Sequence, residues 1–321
     1  LFGLHHKGIE DMSKVRLALA YLTFFILLSS EFGSANHVRA QDDKDPKDKS
    51  VPYTADETDE ESETEKEARE IKLAISQVAG FFSNCQFEGY TKDEWATVPI
   101  REKPVMTFSD PTRFDNRGSV WVWGTQGRPN AVAEIYHKGE AAGWILVGVN
   151  VSGGRIKATH NDAPWWRENE SITKFKDLPD APVPADKSVL RQRQIRALSQ
   201  RFTAHEFWIP GNSRYELRLV DRPLMTYKDE ANGILDGAMF TFANGTNPEV
   251  LVLLEVRADP DKKKPPRFQV GIDRLTHAEI HVLFDEKEVY SVGRGWQLCA
   301  PDKPYFSAEI SELEARPKSE E

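Results

Sequence analysis

The chain of 321 residues carries 42 Lys and Arg against 51 Asp and Glu, a formal net charge of −9, which argues against a strongly basic nucleic-acid binder. With 39% hydrophobic and 10% aromatic residues it has enough apolar material for packed cores, and its length admits two domains of ordinary size. Two cysteines exclude a disulfide scaffold and a four-Cys zinc module.

From Met12 the sequence has the pattern of an export signal: Lys14 and Arg16, the apolar run Leu17 to Leu28, and a polar stretch ending Val38-Arg39-Ala40. The apolar run falls short of the roughly 20 residues a membrane-crossing helix needs. Residues 1–40 are therefore expected to be a signal peptide starting at Met12 and cut after Ala40. The mature chain would be secreted or periplasmic, with no membrane span after signal removal.

Residues 41–66 read as an acidic, disordered linker: Asp42 to Glu70 holds 13 acidic and 5 basic side chains and almost no large apolar ones. Most of the net charge lies there and in the acidic tail 309–321, since residues 71–308 hold 31 basic against 30 acidic groups.

Residues 67–176 form the first structured stretch. Ile71, Ile75, Val78 and Phe82 mark one face of a helix, and the runs Pro104 to Phe108, Ser119 to Gly124, Ala131 to His137 and Trp144 to Val151 read as strands. A Pro-rich linker, 177–186, separates this from 187–308, where the order restarts. A helix with Val189, Ile195, Leu198 and Phe202 on its apolar side leads into further strand-like runs ending with Thr276 to Phe284.

The halves match in letters. Lys103-Pro-Val-Met-Thr-Phe-Ser-Asp110 parallels Arg222-Pro-Leu-Met-Thr-Tyr-Lys-Asp229, and at the same offset Gly118 meets Gly237 while Trp121 and Trp123 meet Phe240 and Phe242. An internal duplication is inferred. The expected fold class is α+β, two tandem copies of a helix packed on an antiparallel sheet, cystatin-like or nuclear-transport-factor-like by analogy. The pairing with phenylalanines makes Trp121 and Trp123 core residues rather than a sugar platform. Gly118 and Gly237, each placed just before a strand, are assigned to turns with positive φ.

No phosphate-binding Gly loop, Gly-x-Ser-x-Gly elbow or His-Glu-x-x-His motif is present. The remaining candidates are weaker. His277, Glu279 and His281 would share one strand face, where two imidazoles and a carboxylate suit zinc or acid-base work; a wet strand face reads the same way. His205-Glu206 after the second helix is the catalytic candidate, a helix-end cap being the alternative. Trp165-Trp166, beside His160-Asn161-Asp162, is the ligand-stacking candidate, a sheet-edge seal the alternative. Lys262-Lys263-Lys264 reads as the tip of a long hairpin, and Arg191, Arg193 and Arg196 as the wet face of the second helix. Cys85 and Cys299 could form a disulfide closing a long loop, or remain two buried thiols.

The pieces Arg222-Pro-Leu224, Asp236-Gly-Ala238 and Gly245-Thr-Asn-Pro-Glu249 resemble a set of exported planctomycete proteins with no assigned function; Gly127-Arg-Pro129 shares the pattern in part. The resemblance implies an exported bacterial protein and transfers no activity or site. The leading expectation is a non-catalytic binding or interaction module in the cell envelope, with an envelope protein or glycan as partner, no nucleic acid and no cofactor. The rival is a hydrolase or metal-dependent enzyme, zinc being the metal, with its site in the second repeat.

Overall fold

The computed structural model describes residues 63–110, 116–138, 143–209, 212–260, 264–295 and 300–311. The expected signal segment, the acidic stretch up to residue 62 and the tail beyond 311 lie outside them. Helix α1 (Glu63–Ser83) leads into the hairpin β1 (Cys85–Thr91) and β2 (Glu94–Thr97). A meander follows, β3 (Met106–Asp110), β4 (Asn116–Trp123), β5 (Ala131–Lys138) and β6 (Trp144–Asn150), and then the hairpin β7 (Arg155–His160) and β8 (Ala163–Glu170). A two-residue strand, β9 (Lys176–Asp177), precedes helix α2 (Ser188–Ser199). The order then repeats: hairpin β10 (Phe202–Ile209) and β11 (Asn212–Leu219), meander β12 (Met225–Asp229), β13 (Ile234–Asn244), β14 (Asn247–Arg257) and β15 (Arg267–Arg274), hairpin β16 (Glu279–Phe284) and β17 (Lys287–Val292). Strand β18 (Tyr305–Glu309) ends the described chain. No helix among the described residues is long and apolar enough to cross a membrane.

The repeat extends to hydrogen-bond register. Met106 faces Val120 and Phe108 faces Gly118; Met225 faces Met239 and Tyr227 faces Gly237, each residue 119 positions after its counterpart. Cys85 faces His160 and Phe202 faces Phe284, which aligns β1 with β10 at a displacement of 117 and β7 with β16 at 124. The turns Asn161-Asp162 and Asp285-Glu286 correspond, and all four residues have positive φ. That is the backbone a two-residue hairpin connection requires. In copy 1 the hairpin sheet (β2-β1-β7-β8) and the meander sheet are separate; in copy 2, β11 pairs with β13 and joins them. The seam is the same in both, since the bridge Ile100↔Trp123 lies 119 residues before Leu219↔Phe242.

The expected α+β class is not what forms. Among the described residues the chain is mostly β, about 55% strand and about 14% helix, in large curled antiparallel sheets. Helical periodicity is conspicuous in sequence, but the area to be covered belongs to the strands. Helix α2 buries only Ile195, Leu198 and Ser199, and Val189, expected on its apolar side, is 66% exposed. Strands β13 and β14, by contrast, are buried on both faces for nearly all of their 11 residues. Alternation then sorts side chains into three cores. Trp121, Trp123, Ile135 and Leu146 pack with Phe81 and Phe82 of α1; Phe240, Phe242, Val250 and Val252 pack with α2. The residues between them, Val120, Val122, Val132, Met239, Leu251 and Leu253, form a third core where the two meander sheets meet back to back.

That seam has a polar lock. Arg128 donates through Nε and Nη2 to both oxygens of Glu255, each at 2.7 Å, and the Tyr227 hydroxyl donates to Glu255 Oε1 at 3.0 Å. Glu255 is fully buried. The turns of each copy also abut the other reciprocally: Asp110 sits against Gly245 and Asp229 against Gly127.

Gly118 and Gly237 are not turn residues. Both lie inside strands, and neither is among the positive-φ glycines. Their role is close approach. A Cβ on Gly118 would lie 2.4 Å from the Phe108 ring, and one on Gly237 2.4 Å from the Tyr227 ring. The aromatic residue of each neighbouring strand lies flat over the glycine, a cover that only a missing side chain permits. Asp236, next to it, anchors α2 by accepting from Arg191 Nε (2.5 Å), Ser188 Oγ (2.8 Å) and Gln192 Nε2 (3.0 Å). Arg191 is therefore a packing cation, whereas Arg193 and Arg196 are exposed as expected.

The chain exchanges edge strands. Copy 2's meander ends on β9, which comes before α2, whereas copy 1's meander ends on β18, from beyond copy 2. The expected Pro-rich linker thus begins with a β9 residue, Asp177.

Candidate functional site

The hairpin sheets of the two copies carry the chemistry. In copy 2, His205 on β10 stands opposite Glu216 on one side and His281 on the other, while Phe207 stands opposite Arg214 and Glu279. Pleating sends these odd-numbered β10 residues to the outer face and Ala204 and Glu206 inward. The expected catalytic pair is thereby split. His205 faces out, whereas Glu206 is fully buried and accepts from Trp208 Nε1 (2.9 Å) and Asn244 Nδ2 (2.8 Å).

The expected trio His277, Glu279 and His281 is split as well. Strand β16 begins at Glu279, so residues before it do not follow its alternation. The His277 ring lies edge-on to Tyr305, centroids 5.5 Å apart. Glu279 and His281 do meet, Oε1 to Nε2 at 2.9 Å, and Glu288 Oε2 takes the other ring nitrogen, Nδ1, at 2.6 Å. The His281 ring lies over the His205 ring at 5.0 Å and 8° between planes.

Two carboxylates on one imidazole have a definite consequence. Only the doubly protonated ring can donate to both, so this geometry selects imidazolium. Burial opposes the charge on His281, but the hydrogen bonds it donates to Glu279 and Glu288 outweigh it and its pKa is raised. His205 moves the other way: burial, then the charges of Arg214 and His281, lower it. The hydrogen bond to His281 draws the Glu288 carboxyl below its ordinary value. The two shifts run in opposite directions, so of the stacked pair His281 is the ring that holds the second proton in preference. Holding zinc would require His281 to release a carboxylate, and among the described residues no group of three or more His, Cys, Asp or Glu is arranged to hold a metal ion.

Copy 1 has different chemistry at the matching positions. Glu88 and Lys157, equivalent to His205 and His281, form an ion pair at 3.3 Å. Tyr90 and Trp95 face each other across β1 and β2 with rings 5.2 Å apart. The Arg155 guanidinium lies 3.6 Å over the Tyr90 ring and the Lys157 ammonium 4.4 Å over Trp95. All four are partly exposed. This cluster was missed in the sequence because its members come from three strands and form no motif. The signal that would have found it is the 117-residue displacement from Tyr90 to Phe207, both aromatic.

The remaining candidates fall in cores. Trp165 and Trp166 are fully buried among Phe81, Phe87, Trp123 and Phe306, and Trp166 Nε1 donates to the Lys303 carbonyl at 2.8 Å; neither offers a stacking face. His160 is buried beneath Phe81, rings 4.7 Å apart. Cys85 Sγ donates to the Phe81 carbonyl at 3.5 Å, and burial pushes its thiol pKa up. Cys299 lies outside the described residues, as do Lys262 and Lys263 at the long β14–β15 connection. The surface is also concave beside α1, where a groove of about 300 Å³ is lined by Val78, Phe81, Trp144 and Ile310 among others. Compared with family models, with curated proteins and with solved structures, the chain matches none.

Proposed function

We propose that the protein is an exported, non-catalytic binding module of the bacterial envelope, and that it engages an acidic glycan through the outer face of the copy 1 hairpin sheet. The observation that carries this reading is the Tyr90–Trp95 pair beneath Arg155 and Lys157. Aromatic rings suit the apolar faces of sugars, and guanidinium and ammonium groups suit their carboxylates. The residues stand on paired strands, so the geometry is held without a ligand. Address is supported by the sequence pattern of residues 12–40.

The hydrolase or metal-enzyme reading has less behind it, because the pleat separates His205 from Glu206 and both nitrogens of His281 are engaged. The test is affinity electrophoresis of the chain from residue 41 in gels containing polygalacturonate or neutral dextran. Retardation by the acidic polymer alone, reduced at least tenfold in affinity by Trp95→Ala and by Arg155→Ala with the fold retained, is expected. Equal migration in both gels, or variants that bind as the parent does, would reject the reading.

A further inference from the structure

The two copies offer an internal comparison at one cross-strand position. Glu88 and Lys157 in copy 1 are opposite charges that attract across β1 and β7. His205 and His281 in copy 2 occupy the same place across β10 and β16. The pair there is stacked nearly parallel, 5.0 Å between centroids, and His205 is only 8% exposed. We propose that the His205–His281 stack is an acid-sensitive seam: protonation of His205 beside a fixed imidazolium loosens the β16–β17 hairpin from β10, while the matching seam of copy 1 stays closed.

The charges around His205 come from every strand packed on it. Arg214 and Glu216 face it from β11, Glu279 and His281 from β16, and Glu288 from β17. Glu279 and Glu288 are committed to His281, and Glu216 to Arg214 at 2.6 Å. A proton arriving on His205 therefore gains no carboxylate of its own and meets two cations, His281 and Arg214. Burial and those two charges already lower its pKa, so His205 takes its proton at a lower pH than an ordinary imidazole. A stacked pair at this distance cannot separate by side-chain rotation alone, since Phe207 packs edge-on against both rings, at 5.5 and 5.8 Å. The strain passes to the backbone ladder, where among the described strands β17 pairs with β16 alone.

The device is independent of what the protein binds. It is tested by hydrogen exchange of the β16 and β17 amides against those of β7 and β8 between pH 7.5 and 4.5, corrected for intrinsic exchange. The copy 2 amides are expected to lose protection about tenfold as His205 titrates, the scale of one pKa unit of added repulsion, while copy 1 amides do not. His205→Gln, which keeps a planar polar side chain but cannot charge, should remove the loss. So should the double variant His205→Glu with His281→Lys, which installs the copy 1 pair. Loss of protection that persists in His205→Gln, equal loss in both copies, or no loss in the parent would each overturn the proposal.

Discussion

Gly237→Ala tests whether the cover of Tyr227 over Gly237 is a structural requirement. The new Cβ would stand 2.4 Å from Tyr227 Cε2, 2.7 Å from Cζ and 2.9 Å from Cδ2. Ordinary carbon contacts are about 3.5–4.0 Å, so the ring must retreat by about 1 Å or more. It has little freedom to do so. Its hydroxyl is tied to Glu255 Oε1 at 3.0 Å, and Glu255 is clamped by Arg128. Overpacking costs about 1–3 kcal/mol, and loosening a hydrogen bond to a charged group about 1.5–3, giving about 2.5–6 kcal/mol together. For a protein of this size that corresponds to a fall in Tm of roughly 5–24 °C. Urea unfolding of Gly237→Ala, Tyr227→Leu and the double variant separates the contributions. The cost of the added methyl should largely vanish once the ring is gone. An undiminished cost in the Tyr227→Leu background, or a Gly237→Ala protein as stable as the parent, would refute the account.

Three further outcomes follow from the same geometry. Arg128→Met should cost about 3–5 kcal/mol in chemical denaturation by leaving buried Glu255 with only the Tyr227 hydroxyl and Arg257 Nη1 at 3.9 Å, and adding Glu255→Gln should recover much of that. Asp273 is buried, accepts from Thr173 Oγ1 at 2.6 Å and from the Arg274 amide at 2.9 Å, and burial pushes its pKa up to about 6. A raised carboxyl pKa favours folding below the unfolded value and loses that advantage as pH rises through about 6, so Asp273→Asn should gain on the parent between pH 4 and 7. The gain, read from urea midpoints, is at most about 3 kcal/mol for a shift near two units. Asp236→Ala should release the first turn of α2, costing about 2–4 kcal/mol and exposing the α2 amides to exchange.

Much of the pairing pattern was legible before any coordinates. The gap-free match of Met106–Asp110 to Met225–Asp229 carries over as identical ladder register, and setting Trp121 and Trp123 beside Phe240 and Phe242 identified two cores. The longer β14–β15 connection was also legible, since β14 ends at Arg257 and β15 begins at Arg267, whereas β5 and β6 are separated by five residues. What failed depended on partners distant in sequence. Trp165 and Trp166 resemble a binding pair until Phe306 covers them. His205-Glu206 resembles a dyad until strand pleating turns the two apart, and β10 is hard to see because its alternation breaks down, with Glu206 inside and Phe207 and Ile209 outside. The two glycines were read by backbone freedom, when the property that mattered was the space above them.

The exchange of edge strands sets an order for assembly. Phe306 of β18 is buried against Trp165 and Trp166 in the copy 1 core, although nearly all of that core precedes it by more than 130 residues. During synthesis from the N-terminus the first half must therefore wait, its hydrophobic interior open along β6, until the second half has been made. Copy 2 carries its own edge strand ahead of its helix and has no such wait. The half made last is the half that can close first, and the last of the described strands is the latch on copy 1.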